Sequence, residues 1–148
     1  MSECSIREFR REDLERVCEI EYRSFQYPYP CQVFLVYHYI FPSLFLVAEC
    51  GGRVVGYSVG IVENGERGHL ISIAVEEVYR GRGLGRSLIK EFESRVKALG
   101  ATRVVLEVSV ENSVALSLYE RLNYRVVKVL RNYYPNGEDA YLMLKELV

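Results

Sequence analysis

The sequence predicts one α/β domain in which helices flank a mixed, mostly antiparallel sheet. Its 148 residues are the usual length of a single domain, and a chain of that size buries about 70% of the surface that its unfolded form exposes. Short apolar runs separated by glycine turns indicate antiparallel strands, and a later segment with apolar residues three and four positions apart indicates a helix. No repeat, linker or low-complexity stretch divides the chain, so we expect residues 1–148 to fold as one unit.

The N-terminal part is predicted to form a strand followed by two helices. Residues 5–9 alternate between polar and apolar, and apolar residues then recur at helical spacing over residues 14–21. Prolines restrict the Tyr-Pro-Tyr-Pro stretch at residues 27–30 to an extended conformation that a helix cannot cross. Residues 31–40 indicate an apolar helix, with a strand as the alternative, and Pro42 marks its end.

Three antiparallel strands are predicted next. The apolar runs at residues 44–49, 54–62 and 69–75 have the length and composition of strands. Gly51-Gly52 separates the first two runs and Asn64-Gly65 separates the second from the third, and both pairs suit the positive φ of a tight hairpin. We therefore expect each run to pair with the next.

The C-terminal half is predicted to alternate between helices and strands. Apolar residues mark one helical face over residues 84–99, and Gly100 suits a left-handed C-terminal cap. Residues 104–110 indicate a strand and residues 113–122 a helix, and two last strands flank residues 135–137. The expected order is strand, two helices, three strands, helix, strand, helix and two strands.

Composition argues against nucleic acid or membrane as a partner. The 19 basic and 20 acidic residues give a formal net charge of −1, whereas nucleic acids and anionic membranes select a basic excess. The sequence shows neither a secretory leader nor a window of 18 uncharged apolar residues. The four cysteines stand singly, so we predict reduced thiols, no metal site and a cytoplasmic location. These cysteines are Cys4, Cys18, Cys31 and Cys50.

The segment RGRGLGRSL, residues 80–88, is the strongest local signal. Its three glycines let backbone N–H groups converge on an anion, and the following helix N-terminus and three arginines add positive charge. The spacing excludes a dinucleotide fingerprint and a P-loop. We predict a pyrophosphate site, and the alternative is a solvated arginine cluster. The predicted site consists of Arg80, Gly81, Arg82, Gly83, Leu84, Gly85 and Arg86.

Three separated blocks carry a resemblance to a known family. Residues 80–85 resemble the R/Q-x-x-G-x-G/A signature of the GNAT superfamily of acetyl-CoA-dependent N-acetyltransferases. LEVSVENSVALSLYERLNY (residues 106–124) and NYYPNGEDAYLM (residues 132–143) are similar to protein N-terminal acetyltransferases of the bacterial ribosomal-protein-alanine (RimI) type and the archaeal and eukaryotic NatA type. The likeness extends over about residues 5–147. It implies a GNAT-like fold and one N-acetyltransferase domain.

The resemblance implies how acetyl-CoA is held. Ile73, Ala74 and Val75 match the strand whose backbone binds the pantetheine arm, and residues 80–86 match the turn that holds the pyrophosphate. Asn112 matches a residue that contacts the cofactor.

The resemblance also implies two catalytic residues. Glu107 matches the general base of the RimI type, and Tyr119 matches the residue that protonates the departing thiolate. A carboxylate on a largely apolar strand is costly without a task or a partner, so the alternative for Glu107 is an ion pair across the sheet with an arginine such as Arg103. The alternative for Tyr119 is a place in the core, because it lies at helical spacing from Ala115 and Leu122.

Five further residues are expected near the acceptor substrate. Tyr133 and Tyr134 match tyrosines that grip the peptide backbone, with aromatic pairing in a hairpin as the alternative. His69 matches a position that holds a catalytic water, with a structural histidine as the alternative. Phe25 and Tyr29 are expected to form a second aromatic wall.

One stretch departs from the NatA pattern. Where that type carries Leu-Pro-Glu-Asn, this chain has Phe-Gln-Tyr-Pro at residues 25–28, so the NatA loop carboxylate is missing and the loop is closer to the RimI type. Glu138 and Asp139, further along, are interpreted as solvated turn charges.

The expected function is direct acetyl transfer, within a ternary complex, to the N-terminal α-amine of a protein or peptide, with ribosomal proteins among the candidates. At pH 7 roughly a tenth of α-amines are already neutral, whereas fewer than about one lysine in a thousand is. One alternative is transfer to lysine side chains or small amines. Another, of a different class, is a non-catalytic module that binds acyl-CoA.

Overall fold

The computed structural model describes residues 3–148, which form a seven-stranded sheet with helices on both faces. The strands are β1 (Cys4–Glu8), β2 (Phe45–Cys50), β3 (Arg53–Glu63), β4 (Arg67–Val75), β5 (Arg103–Ser109), β6 (Arg125–Leu130) and β7 (Ala140–Glu146). The helices are α1 (Leu14–Ser24), α2 (Cys31–Ile40), α3 (Leu84–Ala98) and α4 (Ser113–Arg121). The predicted fold class and element order are confirmed, and residues 31–40 are helical rather than extended.

The sheet is antiparallel except at one junction. Its order is β1-β2-β3-β4-β5-β7-β6, and only β4 and β5 run parallel. That parallel pairing covers three positions and ends at His69 opposite Val105. Beyond it β4 remains paired with β3 and β5 with β7, so the two strands separate and leave a wedge between them. The wedge is where the chain can admit a ligand into the middle of its sheet.

Strand alternation divides the core between the two faces. Leu46 of β2 belongs to the cluster that contains the apolar face of α3, whereas Phe45 belongs to the cluster around Phe34 of α2. Helix α3 lies very close to the sheet at Gly60, because a Cβ there would stand 2.4 Å from a ring carbon of Phe92. The absence of a side chain at Gly60 therefore allows α3 to pack this close to the strands.

The prediction of reduced thiols is wrong. Cys4 is bonded to Cys50, and Cys18 is bonded to Cys31. The first bridge joins β1 to β2, where the two residues are direct cross-strand partners. The second joins α1 to the first residue of α2 and encloses residues 25–30, which we call the aromatic loop. Residues that stand singly in the sequence become neighbours only after the strands and helices have packed.

The described helices give no sign of a membrane span. None of them within residues 3–148 is both long enough and apolar enough to cross a bilayer.

Candidate active site

A cleft of about 270 Å³ lies in the wedge between β4 and β5. The separating strands form its floor, and the aromatic loop, the start of α4 and the segment between β6 and β7 form its walls. The lining residues used below are Glu21, Phe25, Tyr29, Ser72, Ile73, Glu107, Asn112, Tyr119, Tyr133, Tyr134 and Glu138. The three charged side chains in the lining are all carboxylates, those of Glu21, Glu107 and Glu138. This cleft therefore suits an acceptor that arrives as a cation.

Glu107 faces the cleft and is held from behind by His69. Glu107 Oε1 lies 2.8 Å from His69 Nε2, and Glu63 Oε2 lies 3.1 Å from His69 Nδ1. The side chains of Glu107 and His69 are 19% and 18% exposed. His69 itself does not line the cleft. The imidazole thus stands between two carboxylates and contacts Glu107 from outside the cleft lining.

The environment of His69 favours its charged form. Burial alone would lower the pKa of His69, but the hydrogen bonds and charges of Glu107 and Glu63 outweigh it and raise that pKa above the ordinary value. The pKa of Glu63 is lowered, because hydrogen bonds from His69 and Arg67 outweigh the opposing effect of burial.

The predicted alternative partner of Glu107 is wrong. Arg103 instead approaches Glu66, with 3.3 Å between Nη2 and Oε1. Arg103 and Glu107 are four residues apart on β5, and a strand advances about 3.3 Å per residue, so their Cα atoms are separated by roughly 13 Å.

Tyr119 is both packed and placed at the cleft. Its side chain belongs to the core cluster beside α3, and its ring meets that of Tyr124 at 6.0 Å between centroids. Burial raises the pKa of Tyr119 well above the ordinary value. No acceptor or donor within residues 3–148 hydrogen-bonds to its hydroxyl. The tyrosine therefore keeps its proton and has a donor to offer a ligand.

Aromatic side chains form the walls of the cleft. Tyr133 and Tyr134 lie in the turn after β6 rather than in paired strands, and their rings meet edge to face at 5.0 Å. Phe25 and Tyr29 lie on the aromatic loop. Burial, then the nearby Tyr133, raises the pKa of Tyr29 to about 12, and burial, again with Tyr133, raises the pKa of Tyr134 to about 12. These hydroxyls stay protonated throughout the neutral range.

The residues expected at the pantetheine arm follow the cleft along β4. Ile73 lines the cleft, and Ala74 and Val75 continue β4 past it, both more than nine-tenths buried. The Val75 carbonyl accepts a hydrogen bond from Arg80 Nε at 2.9 Å. Asn112 caps α4, because its Oδ1 accepts the amide N–H of Ala115 at 3.1 Å.

The turn from residue 80 to residue 86 presents free backbone amides to open space. Gly81 and Gly83 have φ of 79° and 82°, and a Cβ on either would meet no atom within 4 Å. The amide N–H groups of residues 81–86 donate to no acceptor in the described part of the chain. Free amides at the start of α3, with open space before them, suit a phosphate group.

The three arginines of this turn differ in whether their side chains contact the rest of the chain. Arg80 is held by the Val75 carbonyl, and Arg82 stacks on the Tyr79 ring at 4.9 Å. Arg86, on the first turn of α3, makes no ion pair within residues 3–148. Of the three arginines in this turn, Arg86 is therefore the one whose guanidinium is free to bind a ligand.

Sequence reasoning missed the roles of two carboxylates at the cleft, those of Glu21 and Glu138. Glu21 of α1 is 2% exposed and lines the floor. Glu138 is not a solvated turn charge, because it accepts the hydroxyl of Ser109 beside Glu107. Glu21 could have been noticed in the sequence, because it falls in the apolar helical repeat of residues 14–21, where a carboxylate is costly without a partner or a task.

Comparisons with known proteins agree with this geometry. The sequence model of the Acetyltransferase (GNAT) family matches residues 14–124. An uncharacterized N-acetyltransferase of Methanocaldococcus jannaschii is 44% identical over 142 residues, 95% of this chain and 90% of the relative. An N-alpha-acetyltransferase of Sulfurisphaera tokodaii is 38% identical over 157 residues, 98% and 94% of the two chains.

A solved structure extends the agreement to the whole fold. The crystal structure of Ard1 from Thermoplasma volcanium superposes with a TM-score of 0.95 at 30% identity and covers 98% of both chains. The predicted resemblance is confirmed by these matches.

Proposed function

Because the chain belongs to the GNAT family of acetyltransferases, we propose that its cleft binds the N-terminal α-amine of a protein or peptide and that Glu107 is the base for the transfer. The chain is an N-acetyltransferase, and acetyl-CoA is its co-substrate. The observation that carries the proposal is the position of Glu107, which lines the cleft two residues beyond the last β4–β5 pair and between aromatic walls. A non-catalytic module would not need a carboxylate there.

The chain's residues fit acetyl-CoA along one edge of the wedge. The free amides of residues 81–86 would hold the pyrophosphate, and the β4 backbone from Ile73 to Val75 would accompany the pantetheine arm. Asn112, whose Oδ1 already caps α4, would present its amide nitrogen. When bound, acetyl-CoA supplies a thioester carbonyl for attack and a thiolate as the leaving group.

Glu107 prepares the amine. An α-amine arrives largely as an ammonium ion at pH 7, and the carboxylates of the cleft attract it. Glu107 takes one proton, directly or through a water, and leaves a lone pair on nitrogen. His69 contacts Glu107 through Nε2, so the protonation state of His69 affects how readily the carboxylate takes that proton.

Tyr119 acts on the leaving group, the sulfur of acetyl-CoA. Its unpartnered hydroxyl is a hydrogen-bond donor for negative charge that develops on the leaving group. Because burial raises the pKa of Tyr119 above the value of about 8.5 typical of a thiol, complete proton transfer from Tyr119 is uphill. We therefore assign Tyr119 to stabilisation of the departing thiolate by a hydrogen bond.

The acceptor is better matched by a chain end than by a lysine. The difference of about two pKa units between the two amines means roughly 3 kcal/mol more deprotonation free energy for lysine. Walls of Tyr133, Tyr134 and Tyr29 can hold a peptide backbone just behind its first residue. Ribosomal proteins are candidate substrates of this kind. The cytoplasm remains the proposed location, and the disulfides do not contradict it, because disulfides also occur in the intracellular proteins of some organisms.

Short peptides that contain both a free N-terminus and an internal lysine test the choice of amine. We expect mass spectrometry to find the acetyl group predominantly on the α-amine, with a preference of about 100-fold from the pKa difference alone. The matched control is the same peptide with a blocked N-terminus, which should be acetylated poorly. Predominant modification of the lysine would reject the α-amine assignment and favour a lysine acetyltransferase.

The phosphate turn is tested by Gly83→Val. A branched side chain at this position fills the open space before the free amides, so acetyl-CoA affinity should fall about tenfold or more. Gly65→Val is the matched control, because Gly65 also has positive φ (70°) and open surroundings but lies in the β3–β4 hairpin. Both variants carry similar backbone strain, and only Gly83→Val should lose affinity in calorimetry. Equal affinities in the two folded variants would contradict the placement.

A further inference from the structure

Glu21 is a buried carboxylate that takes no part in the proposed proton transfer. It is 2% exposed, yet it lines the floor of the cleft. Isolated burial of a charged carboxylate is strongly unfavourable, so such a group is retained only with good partners. The partners of Glu21 indicate what it does.

Three donors from three parts of the chain converge on this carboxylate. Oε1 accepts the hydroxyl of Tyr57 on β3 and the hydroxyl of Ser72 on β4, the latter at 2.8 Å. Oε2 accepts the backbone N–H of Tyr29 at 3.0 Å. One oxygen thus binds the sheet and the other binds the aromatic loop.

The sheet side of this connection is rigid. Tyr57 is fully buried and Ser72 is 7% exposed. Ser72 follows a β-bulge, because Val59 pairs with Ser72 and the next residue, Gly60, pairs with Leu70, which leaves Ile71 unpaired. Glu21 therefore attaches the loop to the place where β4 begins to line the wedge.

On the loop side, the hydrogen bond to Glu21 fixes Tyr29 at the cleft where the acceptor would bind. Tyr29 lines the cleft, and its hydroxyl is close enough to Tyr133 and Glu107 for both to affect its pKa. The Cys18–Cys31 bridge restrains the segment that carries the loop but does not bond Tyr29 itself. The bond to Glu21 is what sets the backbone of Tyr29 relative to Glu107.

We propose that Glu21 is a positioning residue that holds the aromatic loop against β4 and so controls binding of the acceptor, independently of acetyl-CoA. The inference rests on the proposed function only in taking the cleft as the acceptor site. Glu21 does not contact the reacting atoms. Its loss should weaken acceptor binding and leave the chemical step and the co-substrate site intact.

Steady-state kinetics of Glu21→Gln tests this proposal. Glutamine keeps the shape but is neutral and has one acceptor oxygen instead of two, so the charge-assisted hydrogen bonds of the carboxylate are lost or replaced by weaker ones. We expect the KM for peptide to rise about tenfold, the size of one lost hydrogen bond to a charged group. The KM for acetyl-CoA and kcat should stay within about twofold of the parent values.

Glu93→Gln is the matched control. Glu93 is also a buried glutamate, and it accepts the Tyr124 hydroxyl at 2.8 Å and Lys145 Nζ at 2.9 Å, away from the cleft. Thermal stability should fall in both variants, but the KM for peptide should change only in Glu21→Gln. If that protein does not fold, Ser72→Ala removes one donor and should raise the KM for peptide about threefold.

Several outcomes would overturn the positioning role. An unchanged KM for peptide in folded Glu21→Gln, an equal rise in the KM for acetyl-CoA, or the same kinetics in Glu93→Gln would each do so. Each assay uses whichever amine the parent enzyme acetylates. A parent that acetylates only lysine would therefore reject the α-amine proposal and still leave the role of Glu21 measurable.

Discussion

Glu107→Gln is expected to lower kcat/KM by on the order of 100-fold or more at pH 6, with a smaller loss at pH 9. The loss is largest at low pH because fewer acceptor amines are neutral there, and an amide cannot take a proton from them. Acetyl-CoA affinity should hardly change. The measurement is a kcat/KM profile from pH 6 to pH 9 with an N-terminal peptide. Overlapping profiles for variant and parent would assign Glu107 a structural role.

Glu63→Gln is the matched control for that profile. Glu63 helps to raise the pKa of His69. Below that pKa His69 is an imidazolium ion, and its Nε2–H donates to Glu107, so this carboxylate is less available to take a proton from the amine. The parent rate should therefore rise as pH increases through the raised pKa of His69. Removal of the Glu63 charge lowers this pKa, so the rise should move to lower pH without a 100-fold loss. A profile that does not move would mean that His69 does not control Glu107.

Loss of the disulfides is expected to have the other large effect. The bridges close segments with sequence separations of 46 and 13, and the chain-entropy relation gives about 4 and about 3 kcal/mol of stability for loops of those lengths. Unfolding in denaturant should shift to a much lower midpoint when reductant is added. The paired variants Cys4→Ser/Cys50→Ser and Cys18→Ser/Cys31→Ser should each reproduce part of the shift.

The two bridges should differ in their effect on function. Loss of Cys18–Cys31 frees the segment around the aromatic loop, so peptide binding should weaken at temperatures where the protein remains folded. Loss of Cys4–Cys50 affects the β1 edge of the sheet, away from the cleft, and should alter stability alone. A midpoint that reductant does not change would show that the bridges do not stabilise the folded state.

Local sequence was sufficient for most of the fold. The glycine pairs at residues 51–52 and 64–65 define the hairpins, and the apolar spacing from Leu84 onward defines α3, because turn geometry and helix periodicity are properties of neighbouring residues. The order of strands in the sheet and the three-position pairing of β4 with β5 depend on packing between distant segments. No local sequence pattern predicts the residue at which β4 and β5 cease to pair.

The candidate site was likewise predictable from the sequence only in part. Family motifs identified Glu107, Tyr119 and the tyrosines of the cleft, and their roles stay predictions to be measured. The contacts of Glu21 with Tyr57 and Ser72 span 36 and 51 residues, and the Cys4–Cys50 bridge spans 46. Such partners are chosen by tertiary packing, so a single sequence without the fold could not pair them.

The two disulfides also decide which covalent chemistry is open to the oxidised protein. All four cysteines of the sequence lie in bridges, and no free thiol occurs among residues 3–148. A double-displacement route in which a cysteine first carries the acetyl group therefore has no nucleophile to begin with. We therefore expect both substrates to bind in the wedge at once, and reagents that alkylate thiols should leave the oxidised enzyme fully active.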